Sequence, residues 1–339
     1  MIRKVLVIRF SALGDIAMTV PVVASFCAQY PDIEVTMLTS KMGEKIYRAV
    51  LPDVKNLQIR GCNPKTDYPG IPGLNRLFGE LRKEKFDALA DLHNVLRTQW
   101  LGLRFSMSLS LKASASIQKG RRDKQNLVKH RIDWQLKSSI ERYCDVFARL
   151  GMPVNLTFEP KPLVAKEKQE FAVGIAPTAQ HRGKIYPKEL MQKVMKGLLD
   201  ARPDLHIYLF GAPDEQAEFD QWCELNPERI SNTAGRQTLG DDLKLMSQLD
   251  CMVSMDSANM HLASLVGCRV VSIWGATDIK AGFFGYRQKT ADAVSLNLDC
   301  RPCSIYGNKP CRKGTYECLY GISPDVIVQR VLNGNNSQA

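Results

Sequence analysis

Asp15 stands directly after Gly14 in the run Arg9-Phe-Ser-Ala-Leu-Gly14-Asp15, between a short β-branched segment and a stretch of helix-spaced apolar residues. A carboxylate at the end of a strand can serve as a general base, or can simply face the dipole of the helix it opens. A second polar cluster, Ser254-Met-Asp256-Ser257-Ala-Asn-Met-His261, lies between two apolar runs. A helix starting there offers unpaired amides that attract a diphosphate. The competing readings are ordinary capping by Asp256 and Ser257 and a satisfied core histidine at His261. Thr178 follows another apolar run, with Lys184 six residues on. Hydroxyl and cation suit phosphate neutralisation, although a lone lysine is usually only solvated. A phosphate site of this kind needs neither metal nor cofactor, and none is expected. Four cysteines, Cys300, Cys303, Cys311 and Cys318, crowd into nineteen positions. The first pair has the spacing of half a zinc site and the second does not, so a structural role is expected, with zinc left open. The other six, Cys27, Cys62, Cys144, Cys223, Cys251 and Cys268, sit singly in apolar segments and read as reduced core residues.

Strands alternating with helices must position these groups. Strands are expected at Lys4 to Arg9, Glu34 to Leu38, Leu57 to Arg60, Phe86 to Leu92 and Lys112 to Ile117. Helices are expected from Ile16 to Phe26 and from Lys137 to Leu150, the latter ending at Gly151. Residues 151–170, with three prolines and the polar run Lys166-Glu-Lys-Gln-Glu170, read as a linker. The alternation then restarts, with strands at Ala172 to Ala176, His206 to Phe210, Cys251 to Met255 and Val270 to Trp274. Helices are expected at Lys188 to Ala201, Asp214 to Leu225 and Leu239 to Leu249. The expected fold is α/β with two Rossmann-like domains, residues 1–160 and 161–322, facing each other across a cleft. A final helix, within residues 323–339, would cross back to the first domain.

Composition excludes several classes. The chain has 339 residues, 46 Lys plus Arg against 35 Asp plus Glu (net +11), 45% apolar and 24% charged residues. That is globular, not disordered or fibrous. Apolar stretches such as Thr19 to Phe26 are too short to span a membrane, and Arg9 and Asp15 interrupt any signal-peptide core, so a cytoplasmic protein is expected. Residues 1–160 carry +10 and residues 161–339 only +1, which suggests an anionic partner at the first half or a basic surface kept for solubility. Six cations from Lys119 through Arg121 and Arg122 to Arg131 supply much of that excess. No recognition helix or aromatic-interleaved basic sheet accompanies them, so nucleic acid is not the expected partner. The single Gly14 is not the Gly-x-Gly-x-x-Gly of a dinucleotide fold, which argues against a nicotinamide-dependent oxidoreductase. A non-enzymatic basic binding protein is the third class.

Arg9-Phe-Ser-Ala-Leu-Gly-Asp15 with Pro21, Lys184-Ile-Tyr-Pro187, Phe210-Gly211, Asp256-Ser-Ala-Asn-Met-His-Leu-Ala263 and Trp274-Gly-Ala-Thr-Asp278 occur in the same order as in the lipopolysaccharide heptosyltransferases of glycosyltransferase family 9, which the chain resembles. The resemblance implies a GT-B fold and an inverting, metal-independent transfer of heptose from ADP-heptose to a Kdo/heptose acceptor of the lipopolysaccharide inner core. The enzyme would work at the inner face of the cytoplasmic membrane. Asp15 matches the family's catalytic aspartate. Gly14, Thr178, Lys184, Asp256, Ser257 and His261 match donor-binding positions, Glu215 matches an acid that binds ribose hydroxyls, and Gln237 lies near the adenine. Lys119, Arg121 and Arg122 would meet the anionic acceptor. Two departures stand out: Asn259 occupies a place near which many relatives have glycine, and Ala179 replaces a second hydroxyl after Thr178. The same chemistry with another nucleotide sugar or glycolipid is the alternative.

Overall fold

The computed structural model describes residues 1–109, 111–166 and 170–334. Residues 167–169 of the expected polar linker run lie outside that set. The chain divides into two units, residues 1–119 with 138–159, and residues 120–137 with 160–339.

The first unit contains β1 (Lys4–Arg9), α1 (Leu13–Ala17), α2 (Val20–Gln29), β2 (Glu34–Thr39), α3 (Lys41–Val50), β3 (Leu57–Gly61), α4 (Gly70–Arg82), β4 (Ala88–Asp91), α5 (Leu96–Met107) and β5 (Ala113–Ser116). After α6 (Arg121–Val128), which belongs to the second unit, the first is completed by α7 (Ser139–Arg149). The single helix expected from Ile16 to Phe26 is two. The Thr19 hydroxyl donates to the Ile16 carbonyl at 2.6 Å, closing α1, and Pro21, which lacks an N–H, is accommodated in the first turn of α2. Gly151 follows α7 at φ +80°, the left-handed stop its position predicts.

The second unit continues with β6 (Phe171–Ala176), α8 (Lys188–Ala201), β7 (Leu205–Leu209), α9 (Gln216–Cys223), β8 (Ile230–Asn232), α10 (Leu239–Met246), β9 (Cys251–Met255), α11 (Ala258–Leu265), β10 (Val270–Ile273), β11 (Ala293–Val294), α12 (Glu317–Tyr320) and α13 (Pro324–Asn333). Expected and observed strands agree to within a residue or two at most ends. The short β8 and β11 go beyond the sequence reading.

Both sheets are parallel throughout, ordered β3-β2-β1-β4-β5 and β8-β7-β6-β9-β10-β11. Each starts at an inner strand and winds outward both ways, which is why β1, β6 and β9 are almost wholly buried. The order reverses at the β1/β4 and β6/β9 junctions. In the first unit the core gathers Leu6, Ile8, Leu77, Phe78, Phe86, Leu101 and Phe105, with the Phe78 and Phe105 rings 5.0 Å apart and edge-on. In the second, Val173, Ile175, Val194, Leu198, Val253, Ile273, Ile327 and Val331 form one cluster.

Two expectations need correction. The basic segment 120–137 packs with the second unit: Leu127 and Leu136 cluster with Ala281, and the Leu136 amide donates to the Lys280 carbonyl at 2.9 Å. Moved there, its six cations and two acids leave the first unit with nineteen Lys and Arg against thirteen Asp and Glu, or +6. The second holds twenty-seven against twenty-two, or +5. The charge asymmetry between sequence halves therefore vanishes between folded units. Likewise α13 packs within the second unit, where Ile327 and Val331 are buried in the core cluster. Among the described residues no helix is long and apolar enough to cross a membrane.

Phe105 is 1% exposed and contacts both Phe78 and Phe86. Phe105→Ala is expected to destabilise the protein by about 3–5 kcal/mol in denaturant titrations; a loss below about 1 kcal/mol would mean this helix is not held by its inner face.

Candidate active site

At the β1/β4 reversal the loops leaving the two strands must part, and polar residues collect there. Arg9, the last residue of β1, is 6% exposed. Its guanidinium donates to the Leu92 carbonyl at 2.6 Å and forms an ion pair with Asp15 Oδ2. Its Cζ also lies 5.8 Å from the Tyr143 ring centroid. The Ala12 amide donates to the same Asp15 oxygen at 3.3 Å. Asp15 therefore sits in the first turn of α1 with its carboxylate fixed through one oxygen and its side chain about 30% exposed.

The loop after β4 completes this side. Asp91 Oδ1 accepts the amides of His93 (2.9 Å) and Asn94 (2.8 Å), folding the chain back so that His93 reaches across to the β1 loop. The Phe10 amide donates to His93 Nδ1 at 3.4 Å, and Ser11 Oγ lies 3.2 Å from Nε2. Burial, with Arg9 next in effect, pulls His93 down to about 3, so the ring is neutral at ordinary pH. With Nδ1 accepting, the proton is assigned to Nε2, which donates to Ser11 Oγ. Lys119 Nζ donates to the Asn94 carbonyl at 3.1 Å.

In the second unit the expected donor residues lie in loops that all leave the carboxyl edge of the parallel sheet: Thr178 and Lys184 after β6, Glu215 after β7, Gln237 after β8, and Asp256, Ser257 and His261 after β9. Lys184 Nζ pairs with Asp256 Oδ2 at 2.8 Å, with side chains 15% and 5% exposed. Asp256 thus holds the lysine and does not cap α11. Ser257 occupies the cap position without bonding a helix amide; its Oγ lies 3.3 Å from Ser254 Oγ. The first amides of α11 accordingly have no side-chain acceptor from their own cap, which is the condition for anion binding and departs from the ordinary-capping reading. His261 is buried in α11. Glu215 Oε2 accepts the Ala212 amide at 2.7 Å, and Gln237 donates to Asp242 at 2.6 Å.

Close backbone packing holds the Lys184 turn in place. The Ala276 amide donates to the Gly183 carbonyl at 2.8 Å, and a Cβ on Gly275 would come within 2.6 Å of that same oxygen. Arg301, missed in the sequence, secures the opposing loop by donating to the carbonyls of Gly275 (2.5 Å) and Thr277 (2.8 Å). Cys300, Cys303, Cys311 and Cys318 line one small pocket beside Arg301. All four are free thiols; burial pushes Cys318 up to about 11, while backbone amides hold Cys311 below its usual value. Among the described residues no group of three or more His, Cys, Asp or Glu has the arrangement of a metal site.

The structure divides the expected acceptor residues. Lys119 joins Asn94 in the first unit, whereas Arg121 and Arg122 are exposed at the start of α6 in the second. Arg9, Asp91, His93 and Asn94 were missed as site residues. The signal was present in Asp91-Leu-His93-Asn94 at the end of the strand beside β1, a polar cluster at a reversal point.

Two units, each a doubly wound parallel sheet with crossover helices, are the building blocks of the GT-B architecture. The family model for glycosyltransferase family 9 (heptosyltransferase) matches residues 74–313, and the chain belongs to that family. It is 22% identical over 88% of its length to the lipopolysaccharide core heptosyltransferase OpsX of Haemophilus influenzae, covering 83% of that protein. Among solved structures it resembles a family 9 glycosyltransferase from Veillonella parvula (TM-score 0.73, 16% identity, 98% of each chain). It also resembles E. coli ADP-heptose lipopolysaccharide heptosyltransferase II (TM-score 0.68, 18% identity, 99% of this chain and 100% of that one).

A histidine kept neutral by burial costs stability once the unfolded chain takes up the proton. Its folded value lies below the unfolded one, so its contribution is complete above about pH 6.5 and is lost as pH falls from there toward 3, at up to about 1.4 kcal/mol per pH unit. Unfolding midpoints of His93→Gln should therefore fall less steeply than wild type between pH 6.5 and 4.5. Parallel curves would show that His93 is charged in the folded protein.

Proposed function

We propose that this family 9 enzyme transfers heptose from ADP-heptose to a Kdo/heptose acceptor of the lipopolysaccharide inner core, with inversion and without a metal ion, at the inner face of the cytoplasmic membrane. The observation that carries the reading is the matched pair of charged sites, Arg9–Asp15 at one sheet reversal and Lys184–Asp256 at the other. Asp15, anchored through Oδ2, has Oδ1 to receive the proton of the acceptor hydroxyl as that oxygen attacks the anomeric carbon. The bond from that carbon to the diphosphate breaks, and its electron pair leaves with the ADP oxygen. Lys184 and the amides opening α11 stabilise the departing diphosphate in the place of a divalent cation. Thr178, Ser257 and His261 surround the phosphates and sugar, while Gly14 lets the loop approach the donor. Glu215 binds the ribose and Gln237 lies beside the adenine. Lys119, Arg121 and Arg122 meet the acidic acceptor. The relatives' names support a heptose donor and a lipopolysaccharide acceptor; Asn259 near the sugar is where a different nucleotide sugar would be selected.

Mass spectrometry of products from ADP-heptose and a Kdo-containing acceptor tests the reading. Addition of one heptose unit is expected, and turnover of another nucleotide sugar alone would assign the alternative donor. Asp15→Asn should keep ADP binding and lose about 10² to 10⁴ in turnover, and chelators should leave the wild-type rate unchanged. Near-normal turnover by Asp15→Asn would place the base elsewhere, and a requirement for added magnesium would overturn metal independence.

A further inference from the structure

Helix α5 is apolar on two sides. Its inner side buries Thr98, Leu101 and Phe105 against the first-unit core. On another side, at positions i, i+4, i+7 and i+11, lie Leu96 (84% exposed), half-buried Trp100, Leu103 (51%) and Met107 (67%), and Leu109 follows in the next turn at 91%. Of the twelve large hydrophobic residues exposed among the described residues, four fall within this one stretch of fourteen, which makes them a patch and not scattered surface leucines.

Helix α4 extends the patch. The Trp100 indole donates to Asn75 Oδ1 at 3.1 Å, and Phe78 packs on Phe105, so α4 and α5 run side by side in the same direction. Ile71, 56% exposed and one turn before Asn75, therefore lies at the same end of the pair as Leu96, one turn before Trp100. That end follows the carboxyl edge of the sheet: Leu96 comes three residues after His93, in the loop that faces Asp15's anchor.

The charge around the patch selects its occupant. From Leu92 to Lys112 the chain has three cations and no carboxylate, and of the three Lys112, at the far end, pairs with Asp87 at 2.6 Å. Arg97 is exposed between Leu96 and the rest of the stripe, and the first unit carries +6 overall. An apolar side on a helix that carries two arginines and no acid of its own fits a bilayer bearing anionic headgroups, where leucine, tryptophan and methionine enter the acyl boundary while arginine stays with the phosphates.

We propose that the Leu96–Trp100–Leu103–Met107 side of α5, with Ile71 and Leu109, is the surface by which this protein docks on an anionic lipid bilayer. Docking there lays α5 along the membrane plane, with the carboxyl edge of the first sheet at its Leu96 end. This rests on the proposed function only in that the acceptor is lipid-borne.

Co-sedimentation of the full chain with phosphatidylglycerol/phosphatidylethanolamine vesicles, without substrates, tests this separately from the transferase reading. Wild type should bind, more weakly on pure phosphatidylcholine and at high salt. The double variant Leu103→Ser/Met107→Ser should lose about tenfold or more of the binding at an unchanged melting temperature, and Arg97→Gln should lose chiefly the salt-sensitive part. With a delipidated, water-soluble acceptor the double variant should turn over like wild type, and with vesicle-embedded acceptor it should be slower. If wild type fails to bind the anionic vesicles, or the double variant binds them equally, the proposal is wrong. Self-association of wild type that the double variant abolishes, in the absence of vesicle binding, would assign the patch to a second copy instead.

Discussion

An all-parallel sheet that winds outward in both directions from an inner strand has one place where neighbouring loops leave toward opposite faces, and in this molecule a charged pair stands at each of those two places. The reversal is a packing consequence. β1, β6 and β9 are almost wholly buried, so each must be covered on both faces by crossover helices, and the polar residues that cannot enter the sheet accumulate at its carboxyl edge. Arg9–Asp15 and Lys184–Asp256 are the two outcomes. The more deeply buried of the two, Lys184–Asp256, gains little net stability, because desolvation offsets the Coulombic attraction, but removing one partner strands the other charge at a cost of about 3–5 kcal/mol. The pairs therefore serve to hold position. Lys184 is held by Asp256, and Asp15, held by Arg9, presents a fixed carboxylate.

Support for these pairs comes from residues that do no chemistry. His93, neutral and hydrogen-bonded to both Phe10 and Ser11, ties the β4 loop to the β1 loop. Gly183 and Gly275 allow two backbone segments to meet where a Cβ would intrude, and Arg301 locks the second of them through carbonyl contacts. Cys300, Cys303, Cys311 and Cys318 line a small pocket together with Arg301.

Much of this was legible in the chain. The β-branched run at Lys4–Arg9 and the apolar run at Cys251–Met255 announced buried strands, and the polar residues placed directly after them drew attention to both loops. Lys188–Ala201 was fixed by its 3.6-residue periodicity, down to both ends. What escaped was whatever depends on contacts distant in sequence. Nothing local in Arg9 tells that it faces Asp15 and Leu92. The segment 120–137 reads as a continuation of the first half until Leu127 and Leu136 are seen packed against Ala281, and with that the apparent charge asymmetry disappears. The break between α1 and α2 turned on one hydroxyl, Thr19, returning to Ile16.

The central claim is that the pair at the β6/β9 reversal receives a nucleotide diphosphate. Calorimetric titration of ADP into wild type and Lys184→Met is its most direct test. Wild type should bind ADP with an affinity that falls as salt rises, and Lys184→Met should bind at least tenfold more weakly with most of that salt dependence gone. Equal affinities and equal salt slopes would show that the diphosphate is held elsewhere and that Lys184–Asp256 is only a structural ion pair.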